Sequence, residues 1–143
     1  MFDGAMPDVL AFWVSPEVWP AFAERVQQHI EQMAAGSGDR YRPEDIAAYI
    51  ANGRMQLWLA LEGASILCAM VTEVHDYPRL RALCCVGVVG HRPRRWMHLM
   101  ENIKAVARQN LGCHRMEALH DPAHARLLGP EWRQWHVLSE CDL

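Results

Sequence analysis

Glu73 and His75 stand near the end of a strand-like stretch, where a carboxylate or an imidazole could take a proton as a general base. Further along, Arg92, Arg94 and Arg95 crowd together just ahead of a helical pattern. Guanidinium groups at a helix start can hold phosphate through forked, charge-assisted hydrogen bonds. The same cluster can equally be a solvated basic loop, or one that meets a partner protein.

Other candidate groups fall away on spacing. His120 and His124 are four apart, with Cys113 and His114 nearby, but a zinc site needs four ligands converging tetrahedrally and no C-x-x-C pair supplies them. Surface or capping histidines are the expectation, and no metal. Cys84 and Cys85 are adjacent on a strand and so point to opposite faces, unable to share a metal or act as a redox pair. Core packing accounts for them. Ser15, Ser37, Ser65 and Ser139 occur in no nucleophile-elbow setting, and no Walker or Rossmann glycine pattern is present.

The bulk properties narrow the class. A chain of 143 residues fits one domain over residues 1–143, long enough to bury a real core. A formal charge of -3 argues against a dedicated nucleic-acid binder. The start at Met1-Phe2-Asp3-Gly4 does not read as a secretory signal, and the longest apolar run, Ala82 to Val89, is too short to cross a bilayer. The five cysteines are an odd count and are expected as reduced thiols in the cytoplasm.

The positioning elements follow from periodicity. Ser15-Pro16-Glu17 signals a helix start, after which Val18, Trp19, Phe22, Ala23, Val26, Ile30 and Met33 form a helical stripe, ended by Ala35-Gly36-Ser37-Gly38. A shorter helix runs from Pro43 to Gly53. Leu57, Leu59 and Leu61 alternate with Gln56, Trp58 and Ala60, and Glu62-Gly63 turns the chain back into a strand over Ser65 to His75. Leu80 to Val89 is expected as a central strand covered on both faces.

Trp96, Leu99, Met100, Ile103, Val106 and Ala107 then predict a long amphipathic helix closed by Leu111-Gly112. Cys113 to Leu119 is again a strand, so the strands around Leu83 and Met116 should run parallel in a βαβ unit. A short helix from Asp121-Pro122 to Leu128 and a last strand from Trp135 to Cys141 complete the expectation. Six tryptophans are present, and Trp132 and Trp135 suit either an interface or a core wall.

This order of elements resembles the GNAT N-acetyltransferase fold, an α/β (α+β) fold with a mixed sheet, a β-hairpin, a central parallel βαβ unit and flanking helices. Val9 to Val14 would have to supply its first strand. Tyr41 to Ile46, Gly53 to Ala60 and Val71 to Pro78 resemble short GNAT-like proteins of tailed phages and prophages, akin to an internal virion protein of podophages.

The resemblance implies acetyl-CoA as cofactor, lying in a gap between two parallel strands, with its pyrophosphate on backbone amides of a Gly-rich loop at the long helix. By that likeness Val88, Val89, Gly90, His91, Arg92, Arg94, Arg95 and Trp96 would line the cofactor site, and Glu73 or His75 would face the cleft as base. The loop departs from the family pattern. Arg92, Arg94 and Trp96 replace the small residues, and Pro93 removes an amide donor. The family's thiolate-protonating tyrosine would align near Leu128, and no tyrosine lies beyond Tyr77.

Two functions remain open. The loop and the missing tyrosine favour a GNAT-like module without catalysis, serving in a virion or in host interaction. Such a module would self-associate or bind a protein partner, as a homodimer or in virion assembly, and bind neither nucleic acid nor membrane. The alternative is an acetyl-CoA-dependent N-acetyltransferase of the bacterial cytoplasm, acting on an amine.

Overall fold

A computed structural model describes residues 9–120, 128–134 and 138–143. Its centre is a five-stranded sheet in sequence order: β1 (Val9–Val14), β2 (Met55–Glu62), β3 (Ser65–Asp76), β4 (Arg81–Gly90) and β5 (Arg115–Ala118). Neighbours from β1 to β4 are antiparallel, and β4 and β5 are parallel. Leu83 is paired directly with Met116, so the βαβ unit predicted from periodicity is present. β1 supplies the first strand that the sequence left in question.

Alternation along the strands divides the core in two. On one face Leu57, Leu59, Ala69 and Val71 pack with Val26, Ile30, Ile46 and Ile50 of the helical layer. That layer consists of α1 (Trp19–Phe22), α2 (Gln27–Ala35) and α3 (Pro43–Ala51). Pro43 opens α3 with its fixed φ, while the Asp45 carboxylate accepts from the Arg42 backbone N–H at 2.9 Å. The other face, carrying Trp58, Met70 and Leu83, is covered by Ile103 and Ala107 of α4 (Met100–Asn110).

Two helices differ from the periodic pattern. The stripe from Trp19 to Met33 is split, because residues 23–26 form a turn between α1 and α2. A tighter bond from Gln27 N–H to Glu24 O closes that turn, yet Val26 and Ile30 remain fully buried, so the stripe survives the break.

The stripe beginning at Trp96 is not helical from its start. Residues Pro93–Arg95 and Met97–Leu99 are two 3-10 turns, and α4 begins only at Met100. Arg92 sits in the left-handed region at φ 53°, and Trp96, at φ -132°, is out of helical geometry. The Trp96 indole N–H donates to the His91 carbonyl at 2.8 Å and pins this conformation.

The strand expected over Cys113 to Leu119 is shorter, covering Arg115–Ala118. Residues 138–141 of the expected last strand are irregular, and residues 135–137 lie outside the described residues. The short helix expected from Asp121, with His124, likewise lies outside them, apart from Leu128 in a bend. Among the described residues no helix is long and apolar enough to cross a membrane, and no cluster of His, Cys, Asp and Glu suited to a metal is found.

Candidate functional site

β4 and β5 are paired only from Ala82 with Arg115 to Cys85 with Ala118. Beyond that point β4 continues to Gly90 while β5 stops, so the two strands part. A β-bulge marks the place: Val71 pairs with Gly87 but Thr72 pairs with Cys85, which leaves Val86 as an extra residue on β4. The opening is a cleft of about 500 Å³. Val86, Val88 and Gly90 form one wall and Met116, Ala118 and His120 the other, with Met33 from α2 and Trp96 and Met100 from the α4 side closing it.

Of the sequence candidates for cofactor binding, Val88, Val89, Gly90 and Trp96 line this cleft. His91, Arg92 and Arg94 are exposed on the loop beside it. The Arg95 guanidinium is bound to Glu62 at the end of β2, with both side chains largely buried. The loop's amides are mostly engaged internally. His91 N–H donates to Leu67 O at 3.0 Å, Arg95 N–H to Arg92 O at 2.8 Å, and Trp96 N–H to Pro93 O at 3.1 Å. Pro93 has none to offer. With α4 starting at Met100, its positive end is set back from the loop.

The two catalytic candidates are in direct contact, and neither lines the cleft. Glu73, 8% exposed, receives His75 Nε2 at 2.8 Å on one carboxylate oxygen and Arg54 Nε at 2.9 Å on the other. Arg54 in turn stacks over the Tyr49 ring at 4.3 Å. The second nitrogen of His75, Nδ1, is 3.1 Å from Cys84 Sγ, which is 3.4 Å from Glu117 Oε1. Tyr77 donates its hydroxyl to the same oxygen at 3.4 Å. The result is a chain of polar side chains crossing β3, β4 and β5. The chain neighbours Cys85, Met116 and Ala118 line the cleft, and strand alternation points the side chains of Cys84 and Glu117 to the opposite face of the sheet at the same place.

The electrostatics follow burial. Burial pushes the Cys68 and Cys85 thiols up to about 12, and burial with the neighbouring Glu117 does the same to Cys84. Glu117 also raises the Tyr77 hydroxyl. Cys85 packs with the Trp58 cluster as a small hydrophobe, as expected, whereas Cys84 faces the polar chain instead. Cys84, Glu117, Arg54 and Tyr77 were not foreseen in the sequence. Pairing of Cys84 with both Glu73 and Glu117 depends on strand register, which spacing alone leaves open.

Comparison with known proteins bears on the fold. No protein-family model matches the chain, and no curated protein matches it. Solved structures do. An aminoglycoside acetyltransferase, meta-AAC0020, from an uncultured soil metagenomic sample, superposes with a TM-score of 0.69 at 12% identity, covering 94% of this chain and 96% of that one. A GCN5-related N-acetyltransferase from Ralstonia eutropha JMP134 gives 0.64 at 13% identity, over 94% and 98%. The chain has the GNAT acetyltransferase fold. A predicted acetyltransferase from Clostridium acetobutylicum, solved with acetyl-CoA, gives 0.58 at 11% identity, over 90% and 96%. At such identities the likeness carries the fold and leaves the chemistry to the site.

Proposed function

We propose that the chain transfers an acyl group from a CoA-type thioester to an amine, with Glu73 and His75 supplying the base. The observation that carries this reading is the cleft at the parting of β4 and β5, because an extended thioester arm needs a slot between strands. The residues fit the arm better than the diphosphate. Val88, Met100, Met116 and Ala118 offer an apolar slot, while the loop amides are turned inward. Phosphate would then rest on the exposed side chains of Arg92 and Arg94.

His75 has the arrangement of a base, with one nitrogen fixed by Glu73. An amine entering beside the polar chain would lose its proton to the imidazole, and Glu73, held by Arg54, would stabilise the resulting charge. Aminoglycosides and polyamines are the first acceptors to try, since the metagenomic relatives in fold are aminoglycoside acetyltransferases.

The test is ligand-linked stability. Acetyl-CoA at a hundredfold over its Kd should raise stability by about 2.7 kcal/mol. The gain should shrink in Arg94→Glu, and thiol release should appear with amine acceptors present. A second reading is a GNAT-like module without catalysis, of the phage or virion type, associating through its exposed surface or in homodimers. The inward-turned loop amides favour it. No shift at millimolar acetyl-CoA, together with co-purification in virions, would decide for that module.

A further inference from the structure

Five thiols are described in the chain, and one of them differs in kind. Cys68 and Cys85 are hydrophobic in setting, Cys113 lies 4.0 Å from the Leu111 carbonyl, and Cys141 is exposed near the C-terminus. Among the contacts of the described residues, Cys84 has an imidazole nitrogen at 3.1 Å. That imidazole is fixed from behind by a carboxylate at 2.8 Å, and the carboxylate is anchored by a guanidinium at 2.9 Å.

From this geometry we propose that Cys84 is an acyl-accepting nucleophile, with His75 as its base and Glu73 as the group that orients His75. The proposal rests on the acyl-transfer reading above and goes beyond it, since it makes transfer a two-step process through a covalent thioester.

Proton positions follow from what each group can donate. The Glu73 carboxylate only accepts, so the proton in its contact with His75 belongs to Nε2. In the tautomer with its proton on Nε2, Nδ1 carries a lone pair that faces the Cys84 thiol. A thiol has one proton, which goes either to Glu117 Oε1 at 3.4 Å or to His75 Nδ1 at 3.1 Å, and the attack uses the rotamer that faces Nδ1. The arrangement reproduces nucleophile, base and orienter, the three roles of a hydrolase triad.

The thiol itself is held neutral, pushed up to about 12 by burial and by Glu117. The attack therefore resembles that of a serine and not of a preformed thiolate. His75 Nδ1 takes the Cys84 proton as the Sγ–C bond forms at the acyl carbonyl. The donor's C–S bond then breaks, and its sulfur leaves as a free thiol carrying that proton. In the second step the acceptor amine attacks the Cys84 thioester. The C–Sγ bond breaks, and the amine's proton returns through His75 to Sγ. No oxidant or further reactant is needed. Access is available, because the His75 side chain is 43% exposed and Cys84 is only half-buried.

Acylation of the whole chain in a Cys141→Ser background tests this, without an amine, using acetyl-CoA and separately p-nitrophenyl acetate as a CoA-free donor. Peptide mass mapping should find one hydroxylamine-labile acetyl group on Cys84, absent in Cys84→Ala. His75→Gln, which keeps a side-chain donor, should slow the labelling by about a hundredfold or more. Labelling of Cys84 by the ester but not by acetyl-CoA would keep the nucleophile and remove the CoA reading. Amine acetylation from acetyl-CoA at wild-type rate in Cys84→Ala would keep that reading and overturn the relay. Absence of an acetyl group on Cys84 with both donors, or undiminished labelling in His75→Gln, would also overturn it.

Discussion

Gly87 of β4 lies so close to Met33 of α2 that a β-carbon on the glycine would stand 3.0 Å from Met33 Cγ. The contact sits one residue past the bulge, where β4 leaves β5, and both residues line the cleft. α2 thus backs directly onto the strand that opens. Gly87→Ala should cost about 1–3 kcal/mol, the usual range for overpacking, because only the flexible Met33 side chain has to give. Met33→Ala alone should also destabilise, by leaving a void against the sheet. The two together should cost less than their sum, since each relieves the other's defect. Urea unfolding of the four proteins measures the coupling; simple additivity would mean that the close approach is not felt.

Gly90 presents a harder case. A β-carbon there would come within 2.8 Å of the Leu67 carbonyl oxygen, and that oxygen also accepts the His91 N–H at 3.0 Å. Backbone cannot swing aside as a methionine can. Gly90→Ala should therefore cost more than Gly87→Ala and loosen the end of β4 where the loop begins. Amide hydrogen exchange at His91 reads this directly, and protection as strong as in wild type would refute it.

What could be read in the sequence was the part that periodicity governs. Alternation at Leu57 to Leu61 marked β2, and the stripe through Ile103 and Ala107 marked the crossover that makes β4 and β5 parallel. Periodicity starts that helix earlier than Met100, where it begins, because Trp96 keeps the spacing of the stripe. In the fold its indole is tied to His91 O, while Arg92 and Pro93 wind the preceding segment into 3-10 turns. The site was less legible still. Glu73 and His75 could be singled out by type, but the meeting of His75 with Cys84 is set by β3–β4 register, and Glu117 arrives from a third strand. Arg95, offered as a phosphate ligand, instead reaches back to Glu62, a partner that no local pattern indicates.

A buried relay of hydrogen bonds lies on the α4 face of the sheet. Trp58 Nε1–H donates to Thr72 Oγ1 at 2.9 Å, and that hydroxyl donates to Gln56 Oε1 at 2.9 Å. Thr72 is fully buried and Gln56 is 5% exposed, so water cannot replace a lost partner. Thr72→Val keeps the shape but strands one donor and one acceptor, which should cost about 2–4 kcal/mol. Trp58→Phe added to it removes one stranded group and should recover part of the loss. A denaturant-based double-mutant cycle checks this, and a Thr72→Val variant as stable as wild type would contradict it.

Acid should weaken the fold through His29. Its Nδ1 is buried with no hydrogen-bond partner among the described residues. Burial chiefly, and His91 second, hold its pKa below the ordinary 6.5. The sign follows from which state binds the proton more readily. In the unfolded chain His29 protonates as the pH falls through about 6.5, while in the folded chain it stays neutral to lower pH. Stability is thus complete above that value and declines as the pH falls from there towards the depressed folded value. His29→Gln, which does not titrate, should flatten that part of the decline. His91→Ala should flatten it only in part, because His91 is the lesser cause. Denaturant midpoints compared between pH 7.5 and 5.5 provide the measurement. Equal slopes in wild type and His29→Gln would place the acid sensitivity on another group.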